Sequence, residues 1–108
     1  MKLKPIPTYS VYVVTHGITG QKYYGSTKDT TKGRWAVHQM NLDAGAHPNP
    51  YLQRDFDKDG DAFFISELMG GIASKEIAKA LEDALIAADP GCYNIVGNPE
   101  RRRGELVL

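Results

Sequence analysis

Two short alternating runs near the N-terminus constrain the fold of this chain more than any other feature. Ser10-Val11-Tyr12-Val13-Val14 and Lys22-Tyr23-Tyr24-Gly25 flank a turn-like His16-Gly17-Ile18-Thr19-Gly20. The alternation of Val11 and Val13, followed after the turn by Gln21 to Ser26, predicts the two antiparallel strands of a hairpin, with Gly25 ending the second. Tyr12 and Tyr23, eleven residues apart, then lie on neighbouring strands.

Downstream, Ala36, Met40 and Ala44 recur at helical spacing, with Trp35 and Leu42 seven apart beside them. This predicts a first helix over Thr31 to Ala44. Gly45-Ala46-His47-Pro48-Asn49-Pro50 is a loop, because neither proline nor the residue before it favours continued helix. Tyr51 to Lys58 reads as a short second helix stopped by Asp59-Gly60. Ala62 to Met69, rich in aromatic and aliphatic residues, predicts a third, mostly buried strand broken by Gly70-Gly71. Ser74 suits the N-cap of a third helix, with Ile77, Leu81, Ala84, Leu85 and Ala88 as one apolar stripe and Asp89-Pro90-Gly91 as its close. The order is β-β-α-α-β-α, an α+β chain.

With 108 residues the chain fits one domain with a core of modest size. Thirteen basic and thirteen acidic residues give a net charge of zero, so any case for a polyanion partner must be local. The single cysteine, Cys92, excludes an internal disulfide, and no N-terminal stretch has the pattern of a secretory signal. No apolar run approaches the roughly 18 residues of a membrane span. A reducing, cytoplasmic-type setting is expected.

Ser10-Val11-Tyr12 and Tyr23-Tyr24-Gly25, the second running on into Ser26-Thr27-Lys28-Asp29, are the first of a series of ordered matches. Arg34-Trp35-Ala36-Val37-His38, the stretch Tyr51 to Gly60, Glu82 and Tyr93-Asn94-Ile95 complete it. Together, over residues 9 to 96, they resemble the GIY-YIG nuclease domain, most of all that of phage and intron homing endonucleases. Ser10 stands where the family has its first glycine and Tyr24 where it has a small aliphatic, but neither departure removes a functional side chain. The resemblance implies a small three-stranded antiparallel sheet flanked by helices, a nuclease domain over residues 1–96, and a short basic tail over 97–108.

Hydrolysis of a phosphodiester requires a proton acceptor for water, neutralisation of charge on the phosphoryl oxygens and a stabilised leaving oxygen. The resemblance makes Tyr12 the general base. A free tyrosine has a pKa of about 10, so Arg34, Lys22 or a divalent cation would have to favour the phenolate. The bland alternative is a strand tyrosine packed on the sheet. Tyr23 would hydrogen-bond the phosphate or the nucleophile, whereas Tyr24 points the other way and is structural. Arg34 and His38, four apart, share a helix face. There Arg34 can grip a phosphate oxygen and His38 can hold Tyr12 or the phosphate. The alternatives are a solvated arginine and a half-buried imidazole, and Trp35 between them reads as core.

Glu82, with Ala78 and Ile86 one turn to either side, is by resemblance the single protein ligand of one Mg²⁺ or Mn²⁺. A surface glutamate paired with Lys79 or Lys75 competes with that reading, and Asp83 is the rival carboxylate. Asn94 either holds a phosphate, orients a site residue or simply forms a turn. His16 and His47 have no ligand partners at metal-site spacing, which argues against zinc, and Cys92 sits in no nucleophile motif.

Lys22, Lys28, Lys32 and Arg54 are candidates for a local basic face on DNA. Arg101, Arg102 and Arg103 could add phosphate contacts or belong to a solvated tail. The expected function is a divalent-metal-dependent DNA endonuclease working without a covalent intermediate. The alternatives are a non-catalytic nucleic-acid-binding module on the same fold and an interaction protein that presents Phe63-Phe64-Ile65. Low sequence specificity, a targeting partner, a homodimer for double-strand cleavage and single-strand nicking all remain open.

Overall fold

In the computed structural model, which describes residues 8–98, the two alternating runs form β1 (Tyr9–His16) and β2 (Lys22–Thr27). They pair antiparallel, with Tyr12 opposite Gly25 and Val14 opposite Tyr23. The turn closes through Gly20, whose φ of 77° is open to glycine without strain. Then follow α1 (Thr31–Asp43), α2 (Pro50–Asp59), a 3-10 turn (Gly60–Ala62), β3 (Phe63–Ile72) and α3 (Lys75–Ala88). The sheet is antiparallel throughout in the order β2-β1-β3. The expected α+β architecture, three strands flanked by helices in the order β-β-α-α-β-α, is the observed one.

The helices start where local chemistry satisfies their first N–H groups. Thr30 Oγ1 accepts from Gly33 N, Asn49 Oδ1 from Tyr51 N and Leu52 N, and Ser74 Oγ from Ile77 N. Pro50, assigned to the loop from sequence, is the first residue of α2, a position that needs no N–H and suits its fixed φ.

Because strand side chains alternate, β1 divides the interior into two layers. Val14 packs with Leu42, Tyr51, Leu52, Phe63 and Tyr93 beneath α1 and α2. Val13 and Tyr24 pack with Ile86 and Cys92, and Val11 packs with Ile72 and Ala78, beneath α3.

Three expectations need correction. The buried face of α1 carries His38 and Leu42, with Trp35 partly buried, whereas Met40 is 63% exposed and Ala36 and Ala44 face solvent. A polar residue holds a core position there, so apolar periodicity points to the wrong side. The α3 stripe is Ala78, Leu81, Leu85 and Ile86, while Ile77 is 61% exposed. The helix is turned so that Glu82 reaches β2. Finally, β3 is mostly exposed and runs on through Gly70-Gly71 to Ile72. It is an edge strand whose pairing with β1 shifts register between Tyr9 and Tyr12, and it meets the core through Phe63 and Ile65 on one side of the sheet and Ile72 on the other.

The outer edge of β2 is covered by the segment after α3. Tyr93 N donates to Lys22 O at 2.7 Å. The Asn94 side chain accepts from Tyr24 N and donates to Tyr24 O, both at 2.8 Å. Among the described residues no helix is long and apolar enough to cross a membrane.

Candidate active site

Tyr12 projects from the central strand towards α1 and is 2% exposed. Its ring lies over Gly25, where a Cβ would land inside the phenol, against Cζ and Oη. The glycine that follows the paired tyrosines is therefore a slot for the Tyr12 ring. Two elements meet at the phenolic oxygen: β1 supplies it, and α1 brings His38 Nε2 to 2.7 Å and Arg34 Nε to 3.4 Å. The spacing of four between Arg34 and His38 puts both on that one atom.

Tyr23, on the same face of β2 as Gly25, packs edge-on against His38 and His47, with ring centroids 5.6 and 6.0 Å apart. It lines a groove of about 200 Å³ with Pro48, Asn49, Lys79, Glu82 and Asn94. Glu82 enters from α3 with its side chain 13% exposed, accepting from Ser26 Oγ at 2.7 Å and lying 3.5 Å from Lys79 Nζ. The pairing with Lys79 is present, yet the carboxylate is held in the groove rather than on open surface. Asp83, 54% exposed, shares Lys79 at 3.3 Å and lies outside the groove lining.

Asn94 also lines the groove, but both ends of its amide are committed to the Tyr24 peptide. It fixes the strand that carries Tyr23. Tyr24 faces α3 and donates to Asp89 Oδ2 at 2.9 Å. Trp35 packs against the core cluster of α1 and α2. Cys92 is buried, its Sγ 3.6 Å from Asn98 Nδ2.

The electrostatics run against a free phenolate. Burial pushes the Tyr12 pKa up, and Arg34 offsets only part of this. Burial, with Tyr12 and Glu82 adding to it, raises Tyr23 to about 12. The cation expected at Lys22 is turned away, since its amine donates to Gly20 O at 3.0 Å. Burial, then Arg34 and His47, lowers His38 to about 3, so the ring is neutral. Burial and Arg34 also lower His47.

Of the other basic residues, Lys28 and Lys32 are exposed at the β2–α1 connection and the first turn of α1. Arg54 is on the solvent side of α2, 3.0 Å from Asp55. Arg101, Arg102 and Arg103 lie outside the described residues, as does most of the basic tail assigned to 97–108.

His47, weighed from sequence only against metal-site spacing, is buried at the centre of the site. Its Nε2 is 2.8 Å from His38 Nδ1, and the two rings stack at 5.1 Å. Its sequence signal is the setting His47-Pro48-Asn49-Pro50, where two prolines stiffen the backbone around an imidazole. His16 serves elsewhere, bonded to Asp59 at 3.0 Å.

No cluster of three or more His, Cys, Asp or Glu able to hold a metal is present among the described residues. A closed zinc site is absent from them. A hydrated hard cation asks less of the protein: Mg²⁺ keeps several waters and is commonly held by one or two carboxylates. A single half-enclosed carboxylate at the wall of an open groove fits that ion.

A family model described as the GIY-YIG catalytic domain matches residues 8–89. In solved structures, the chain is similar to the catalytic domain of the homing endonuclease I-TevI, at 29% identity and a TM-score of 0.74, covering 81% of this chain and 97% of that one. A glutamate-to-alanine mutant of the same domain gives 28% identity and a TM-score of 0.73, covering 81% and 92%. Among curated proteins, intron-associated endonuclease 1 of Enterobacteria phage T4 is 38% identical over 58 residues, 54% of this chain. The matched stretch spans 23% of that relative's length. The chain belongs to the GIY-YIG endonuclease family, and residues 8–89 carry its catalytic domain.

Proposed function

We propose that this protein is a divalent-metal-dependent endonuclease that hydrolyses DNA phosphodiester bonds, with Tyr12 as general base and Glu82 as the protein ligand of one Mg²⁺ or Mn²⁺. The observation that carries the reading is the convergence of Arg34 and His38 on Tyr12 Oη, beside a groove walled by Tyr23 and Glu82. A phenol kept in place by two nitrogen groups is suited to take the proton of an attacking water. Arg34, with donors of its guanidinium left over, neutralises a phosphoryl oxygen. Tyr23, neutral at working pH, donates its hydroxyl proton in a hydrogen bond to phosphate or water. Asn94 positions Tyr23 through the β2 backbone. When bound at Glu82, the cation would supply Lewis-acid stabilisation of the charge that builds on the phosphate oxygens.

The substrate reading draws on the printed names of the similar proteins, which are intron and homing endonucleases. Lys28 and Lys32, exposed around the start of α1, are the described cations best placed to follow a DNA backbone. One groove with one base cuts one strand, so double-strand cleavage would take a second copy or a targeting partner. A single cysteine, Cys92, which can form no disulfide within the chain, is in keeping with a reducing, cytoplasmic-type setting.

A plasmid-nicking assay with Mg²⁺, Mn²⁺ or EDTA tests the reading on wild type, Glu82→Ala and Tyr12→Phe. Cleavage is expected only for wild type with a cation, with nicked circles preceding linear product. Activity that survives EDTA and Glu82→Ala would overturn the metal role, and undiminished cleavage by Tyr12→Phe would remove the tyrosine as base.

A further inference from the structure

The histidine pair behind Tyr12 has a direction that hydrogen-bond donors and acceptors determine. Asn49 N–H points at His47 Nδ1 from 3.0 Å. A backbone amide can only donate, so His47 Nδ1 carries no proton. A neutral imidazole has one N–H, which for His47 must be at Nε2, facing His38 Nδ1 at 2.8 Å. His38 Nδ1 is then an acceptor, and its own proton sits on Nε2, 2.7 Å from Tyr12 Oη. Arg34 Nε–H approaches the same oxygen at 3.4 Å.

We infer that His47 and the Asn49 backbone amide are a positioning device that locks His38 as an N–H donor to Tyr12. This inference rests on Tyr12 being the proton acceptor of the proposed reaction. Tyr12 Oη then receives two N–H groups and keeps its own hydrogen for neither of them. That is the arrangement a phenolate needs, because donors aimed at an oxygen favour its charged form.

The same geometry closes an alternative route. Passing the Tyr12 proton to His38 would need a bare Nε2, and in these tautomers that nitrogen already carries its hydrogen. A relay in the opposite tautomers would end at His47 Nδ1, which faces the Asn49 N–H, a group that cannot accept a proton. The phenolic proton therefore does not leave through the histidine pair, and the phenolate, once formed, takes one proton from the attacking water. The charged and titratable groups that bear on Tyr12 are Arg34 and His38 from α1, Tyr23 from β2 and Glu82 from α3.

Two measurements on the full chain separate this inference from the nuclease reading. The first is long-range ¹H–¹⁵N correlation of the histidine rings, assigned with His38→Gln and His47→Gln. His16 serves as internal reference, because its Nδ1 accepts from Thr19 N at 3.0 Å. All three rings are expected in the Nε2–H form. An Nδ1–H form of His38 or His47 overturns the inference, whatever the cleavage assay gives.

The second is the pH dependence of cleavage. His47→Ala frees His38 to change tautomer, so the rate is expected to fall about 10- to 100-fold, the worth of one hydrogen bond to a charged oxygen. The alkaline rise should move to higher pH, because the phenolate has lost a donor. His47→Gln, whose Nε2 can still donate to His38, should restore much of the loss. Equal rates and equal pH profiles for His47→Ala and His47→Gln would overturn the inference. If instead Tyr12→Phe cleaves normally while the rings are Nε2–H, the base assignment falls and the tautomer lock stands.

Discussion

The two faces of the sheet are built by opposite rules. Beneath α3, Val11, Val13, Ile72, Ala78, Ile86 and Cys92 form an apolar layer in which Tyr24 has the polar tip, anchored to Asp89. Beneath α1 and α2, the layer holding Leu42, Leu52 and Phe63 also encloses His38, His47, Asn49 and the Tyr12 hydroxyl. Burial of apolar area stabilises the first face at roughly 25 cal/mol per Å². On the second, every buried polar side-chain atom among the described residues has a partner, which limits the penalty of burying them. One face holds the sheet together, and the other holds a phenol in place.

The most forceful way to break this comparison is Tyr12→Phe. It should lower the cleavage rate by about 10²- to 10⁴-fold, the usual worth of a general base, while circular dichroism still reports a folded chain. A loss of folding together with activity would mean that the polar face, too, is chiefly structural.

Next in size is Ile86→Ala on the apolar face. Ile86 is 1% exposed against Val13 and Cys92, and its truncation should cost about 2–5 kcal/mol in urea unfolding, with kcat nearly unchanged in the folded fraction. Gly25→Ala links the two faces. The added methyl must displace the Tyr12 ring, so about 1–3 kcal/mol of stability should be lost, and cleavage with it.

The remaining effect is confined to acid pH. His38 is protonated near its ordinary 6.5 when unfolded but only near about 3 in the fold, so the unfolded state binds more protons between those values. Its contribution to stability is complete above pH 6.5 and is lost as pH falls towards 3. Thermal denaturation of wild type should show a steeper drop in Tm across that range than His38→Gln, which has nothing to titrate there.

The contrast between the faces also explains what could be read from sequence. The hairpin, the helix starts at Thr31 and Ser74 and the breaks at Gly45 and Asp89 depend on neighbours in the chain, and they were legible. Arg34, His38, Tyr12, Tyr23 and Glu82 were legible as an ordered set of side chains. The face of α1 was not, because His38 occupies a core position that only its bonds to Tyr12 and His47 make tolerable. His47 was missed for a related reason: its partner is a histidine nine residues back and a main-chain amide, neither of which forms a spacing rule. The exposure of β3 followed from its place at the sheet edge, which composition does not encode.

The Asn94 amide has one more consequence. By occupying both the N–H and the C=O of Tyr24, it acts as a stub of a fourth strand, two bonds long. A sheet margin finished in this way has no free ladder there for another polypeptide to extend, so self-association by edge pairing is blocked at that peptide. The rim of the groove is left to whatever recognises side chains and charge rather than backbone, which is how a polyanion would be received.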